Sequence, residues 1–191
     1  MRLPTRVRLL FEALARKYVL RPDVARLDAW IVSPGGVGTT FLMEYVSEFL
    51  KVNDPYDQDG LKHWPRPPCT IDLAQAPKVI FITGNPDVIV ASISRRGWLQ
   101  TQAAKIGSSF GAISTGKLQF MAFKSSVRSQ ICAWKKIQSN NILIIDYNEI
   151  WKNDVVIARH LGLNEADFAA YFPPRKKRKS ALSNDRSKNG Q

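Results

Sequence analysis

The sequence has two cysteines and two histidines in 191 residues. Cys69 and Cys132 lie far apart and form neither a metal-ligand nor a redox spacing. Reduced thiols in a cytoplasmic protein are the expectation, with no disulfide framework. No apolar run approaches the length of a membrane span, so no spanning helix is expected. The N-terminal "LLFEALARKYVL" is broken by charge and has no signal-peptide cleavage pattern. Acidic residues are outnumbered, 16 to 28, and the net charge is +12. The excess sits at the ends: +6 over Pro173–Gln191 and +4 over Met1–Trp30. A nearly neutral body with basic flanks does not suggest a specific nucleic-acid binder. There is no internal repeat.

What the sequence does have is an alternation of apolar runs and helical periods. "DAWIVS", "KVIFIT" and "NILIID" read as buried strands. The helices read from Phe41 to Leu50, from Asp87 onward behind Pro86, over "FMAFKSSVRSQICAWKKIQ", and over "DVVIARHLGL" with Gly162 as C-cap. At the start, Val7, Leu10, Phe11, Leu14 and Tyr18 fall at helical spacing and predict a helix packed on the domain. Residues 99–119, rich in Gly, Ser and Thr, read as irregular, a flap. The pattern predicts an α/β domain over 1–172, with an N-terminal helix in 1–27. A basic flexible tail is expected over 173–191. Strands alternating with helices imply a parallel sheet in three layers, and ligands in such sheets sit at the carboxyl ends of the strands.

All three strand ends are unusual: "SPGGVGTT", "TGNPD" and "DYNE". Gly35, Gly36 and Gly38 permit positive φ and a close approach of ligand, so successive N–H groups can form an anion nest before a helix N-terminus. Thr39 and Thr40 add hydroxyls. A nucleoside-triphosphatase loop would carry lysine where this chain has Thr39, so a P-loop kinase or NTPase is a weaker alternative.

"PGGVGTTF" resembles the 5′-phosphosulfate loop of the PAPS-dependent sulfotransferases, with one extra residue after the proline. Three further segments resemble that family in its order. "LKHWP" is similar to the Lys-x-His-x-Pro segment of the catalytic base, "KVIFITGNPDVIVASISRR" to the 3′-phosphate site, and "WKKIQSNNILIIDYNEIWKND" to the late strand and turn. The resemblance runs from about Asp28 to Phe172. It implies a P-loop NTPase-like sulfotransferase fold and PAPS as donor, with no metal. The acceptor would be a hydroxyl on a small molecule or carbohydrate. It makes His63 the candidate base. Gly35, Gly36, Gly38, Thr39, Thr40 and Phe41 would hold the 5′-phosphate side, and Asn85, Ser92 and Arg175 the 3′-phosphate side.

Two cations of the family pattern are missing. The loop lysine falls at Gly36 and the strand-end arginine at Gly84. A preorganised donor of this kind is worth about 3 kcal/mol in rate. Lys62, Arg95, Arg96, Lys117 and the run Arg175–Lys179 are available as replacements. Two readings stay open: an enzyme that moves a sulfuryl group, and a non-catalytic relative that binds an anion, a nucleotide or a partner protein. His160, ahead of Leu161-Gly162, reads as a partner of a helix C-terminus. Trp64, Trp98, Phe110 and Phe120 suit either a pocket lining or core packing. The acceptor and the oligomeric state are not legible in the sequence.

Overall fold

A computed structural model describes residues 4–67 and 77–175. Cys69 and the tail from 176 onward lie outside the described residues, while Cys132 is an exposed free thiol. Three strands, β1 (Ala29–Val32), β2 (Lys78–Thr83) and β3 (Ile142–Asp146), form a sheet in the order β1-β2-β3. Both pairings are parallel, with Ile31 opposite Ile80 and Ile80 opposite Leu143. β1 is buried at every position and β2 at all but its first. Burial of successive residues means that both faces are covered, which is why these strands read as unbroken apolar runs.

The helices are α1 (Thr5–Leu14), α2 (Thr39–Val46), α3 (Pro86–Arg95), α4 (Leu99–Lys105), α5 (Ser109–Ile113), α6 (Gly116–Lys135), α7 (Asp154–Leu161) and α8 (Glu165–Ala170). A π-turn, Ala15–Val19, continues α1, and a 3₁₀ turn, Tyr147–Lys152, follows β3. Trp134 of α6 stacks on Phe81 of β2 at 4.9 Å and meets Trp30 of β1 edge-on at 5.7 Å. Local chemistry sets the helix ends. Asn85 accepts the Asp87 N–H at 2.8 Å with Pro86 next in line, and Gly162 closes α7 at φ 73°.

Two expectations are corrected. Residues 99–119 are not irregular: they hold α4, α5 and the first turn of α6. Their composition is loop-like, but Ala103, Ala104, Ile106 and Ala112 are buried, and packing outweighs weak propensity. α1 does pack on the domain, but through Leu9 and Ala13. Phe11, Leu14 and Tyr18 of the expected core stripe are exposed.

Candidate functional site

The carboxyl ends of the three strands converge. After β1, the chain passes through Gly35 at φ 98°, Gly36 at 69° and Gly38 at 66°, and α2 begins at Thr39. These left-handed angles suit glycine. The turn is held from within. Ser33 Oγ accepts the Gly35 N–H at 3.1 Å and shares a 2.5 Å hydrogen bond with Thr39 Oγ1. Gln102 Nε2 donates to the Pro34 carbonyl at 2.9 Å. The glycines also answer to close neighbours. A Cβ at Gly38 would lie 2.5 Å from Tyr147 Cε2, and one at Gly35 would lie 2.8 Å from Gln102 Nε2.

Lys62 and His63 come from a separate stretch that is pinned along β1. Val52 bridges Ala29. Asn53 accepts the Ile31 N–H at 2.8 Å and donates to the Ile31 carbonyl at 3.0 Å, as a neighbouring strand would. Trp30 Nε1 donates to the Leu61 carbonyl at 3.0 Å, Ser33 N to the Lys62 carbonyl at 3.0 Å, and Gln130 Nε2 to the Trp64 carbonyl at 2.7 Å. Between Asn53 and Lys62 the chain folds on its own carboxylates. Asp54 accepts from Tyr56 and Gln58, and Asp59 from Leu61 and Asp54. Asp57, at φ 63°, accepts the Lys62 N–H at 3.0 Å and pairs with Lys105 at 2.5 Å.

This frame aims two side chains at the loop. Lys62 Nζ donates to Thr40 Oγ1 and to the Pro55 carbonyl, both at 2.5 Å. Burial lowers its pKa, against the pull of Asp57. The His63 ring lies beneath the loop, with Nδ1 at 2.9 Å from the Ser33 carbonyl. A carbonyl can only accept, so Nδ1 carries the hydrogen and Nε2 keeps its lone pair. Burial lowers the His63 pKa to about 4, so the ring is neutral at physiological pH.

A cavity of about 300 Å³ opens here. Gly35, Gly36, Gly38, Thr39, Thr40 and Phe41 line it from the loop and α2. Lys62, His63, Ile93, Arg96, Trp98 and Gln102 complete it, and no carboxylate is among them. Arg96 lies over the Trp98 ring at 5.3 Å. Backbone N–H groups at a helix start, two cations and the absence of lining acids suit an anion. Among the described residues no group of three or more His, Cys, Asp or Glu could hold a metal ion.

The expected residues fall in two sets. Gly35, Gly36, Gly38, Thr39, Thr40, Phe41 and His63 share the cavity. Asn85, Ser92 and Arg175 are not among its lining residues. Asn85 caps α3, and Ser92 is buried, close to where a Gly36 Cβ would be. Arg175 donates to Asn148 Oδ1 at 2.9 Å and lies over the rings of Tyr147 and Trp151. Of the replacement cations, Lys62 and Arg96 reach the cavity, while Arg95 and Lys117 do not line it. Of the four aromatics named above, only Trp98 lines it. At Gly84 a Cβ would press on Val37 Cγ1 at 3.1 Å, so the loop's own valine crowds the position where the family pattern has arginine. His160 serves elsewhere: its Nε2 donates to the Val79 carbonyl at 3.0 Å and burial lowers its pKa, so it ties α7 to β2 as a neutral ring. Gln102 is a cavity residue that the sequence did not single out, because it lies in the stretch that reads as irregular.

No family model matches the chain, and no curated protein does. Among solved structures, the crystal structure of mouse sulfotransferase SULT7A1 complexed with PAP is similar to it at 18% identity and a TM-score of 0.42. That similarity covers 88% of this chain and 70% of the mouse chain.

Proposed function

We propose that this chain binds 3′-phosphoadenosine 5′-phosphosulfate and moves its sulfuryl group to a hydroxyl of a small-molecule or carbohydrate acceptor. The observation that carries the reading is the meeting of the glycine loop, Lys62 and His63 on one cavity with no lining carboxylate. The order of the sequence segments that resemble the sulfotransferases supports the choice of donor. The N–H groups at Gly38, Thr39 and Thr40 take the 5′-phosphate. Lys62, already bonded to Thr40, supplies the positive charge that the loop lacks at Gly36. His63 takes the acceptor's proton at Nε2 as that oxygen bonds to sulfur. The bond from sulfur to its bridging oxygen breaks, and the electron pair leaves with adenosine 3′,5′-bisphosphate. Lys62 offsets the charge that gathers on that oxygen. Arg175 and the basic residues after it are assigned to the 3′-phosphate.

A second reading, a relative that binds the nucleotide without turning it over, has its own support. Val37 crowds Gly84, and a histidine with a pKa near 4 is a weak base until an anion arrives. Calorimetric titration tests the shared part. Adenosine 3′,5′-bisphosphate should bind without metal, and Lys62→Met should weaken it about tenfold or more, roughly 1.4 kcal/mol. Preference for ATP with Mg²⁺ would move the chain to the nucleoside-triphosphatase class. Binding with no transfer to any hydroxyl acceptor would favour the second reading.

A further inference from the structure

α1 and its π-turn present two stripes. At about 100° per residue, Leu9, Ala13 and Arg16 share one side, where Leu9 and Ala13 enter the core and Arg16 Nη1 donates to the Gly60 carbonyl at 2.7 Å. Phe11 and Leu14 point the opposite way, and the turn continues with Tyr18 and Val19. Their exposures are 59%, 36%, 64% and 75%. Four apolar side chains left in water along one helix and its turn call for a covering surface.

The charges around the stripe say what kind. Arg6, Arg8 and Lys17 are exposed beside it. The one carboxylate in this stretch, Glu12, is held by Arg16 at 3.2 Å. Lys17 Nζ sits 5.2 Å from the centroid of the Tyr18 ring. The face is therefore aromatic and aliphatic along its centre and cationic around it. A protein groove would have to supply acids on both sides of an apolar trench. An anionic lipid surface supplies negative charge all round and an apolar layer beneath it.

We propose that α1 and the Ala15–Val19 turn form a docking face for an anionic lipid surface, with Phe11, Tyr18 and Val19 entering the acyl boundary and Arg8 and Lys17 meeting the headgroups. The helix lies in the interface and does not cross it: among the described residues no helix is long and apolar enough to span a membrane. The full chain should sediment with phosphatidylcholine vesicles that contain phosphatidylserine, and much less with phosphatidylcholine alone. The substitutions Phe11→Ser and Tyr18→Ser together keep every charge, including those beyond residue 175. They should weaken partitioning about tenfold or more and leave the thermal midpoint nearly unchanged, because both side chains are exposed. Arg8→Gln with Lys17→Gln should weaken it as well, and the remainder should be less sensitive to salt. Undiminished binding by the Phe11/Tyr18 variant would overturn the proposal in favour of attraction by the basic tail alone. Failure to bind either vesicle would overturn it too, and concentration-dependent dimerisation that the same variant abolishes would assign the face to a second copy.

Discussion

Burial lowers the pKa of two neighbouring residues, Lys62 and His63, and their hydrogen bonds give them opposite roles. Lys62 remains a donor to Thr40, while the loss of water around His63 keeps its ring neutral against the Ser33 bond, which favours the proton but places it on Nδ1 and leaves Nε2 as the acceptor. The cost of keeping His63 neutral shows in stability. Above pH ~6.5 the ring is neutral in both folded and unfolded chains and adds no pH dependence. Below that, the unfolded chain takes up a proton that the folded one refuses until about pH 4. Stability therefore falls as pH drops through this window, by roughly 3 kcal/mol from this residue, and levels off below it. His160 adds to the fall in the same direction. Urea midpoints at neutral and mildly acidic pH should differ clearly for the native chain and less for His63→Gln, which keeps a donor for the Ser33 carbonyl. An equal loss in both chains would place the cost elsewhere.

At the scale of elements, the glycine loop is the informative one, because its glycines are not equivalent. Gly36 and Gly38 both hold left-handed angles, so an alanine at either costs about 1 kcal/mol or more in backbone strain. The Gly36 Cβ would meet Ser92 at an ordinary 3.5 Å, but the Gly38 Cβ would strike the Tyr147 ring. Gly38→Ala should therefore destabilise clearly more than Gly36→Ala in chemical denaturation, and Tyr147→Ala should remove most of the excess. Equal costs would mean that Tyr147 moves aside freely. The loop was legible in sequence because a buried strand, three glycines and an apolar helix have few other uses together. Tyr147 above it was legible only as the end of a strand. Its contact with Gly38 spans more than a hundred positions, and no local pattern carries it.

For the whole molecule, the parallel sheet was legible because β1 and β2 are buried on both faces and so appear as continuous apolar runs. Two regions were not legible, each for a physical reason. α4 and α5 are built from small residues whose helical state comes from burial of Ala103, Ala104 and Ala112, and composition cannot report burial. α1 carries apolar residues on two sides, so periodicity could not say which side meets the core. The site shows the same division. The loop was named from its glycine pattern and His63 from the resemblance of its segment, and both line the cavity, whereas Gln102 is placed there by the tertiary fold, and Lys62 and Arg96 could be named in advance only as available cations.

The central claim is that a bisphosphate nucleotide enters the cavity where the glycine loop faces His63. With only two histidines in the chain, proton NMR of the ring Cε1–H signals can follow both through a pH titration. In the free protein His63 should titrate near 4. Saturation with adenosine 3′,5′-bisphosphate brings negative charge into a buried site and should raise that value by roughly one unit or more, while His160, bonded to Val79, stays where it was. The account is contradicted if the nucleotide binds and the His63 titration does not move, because the anion would then be held somewhere other than this cavity.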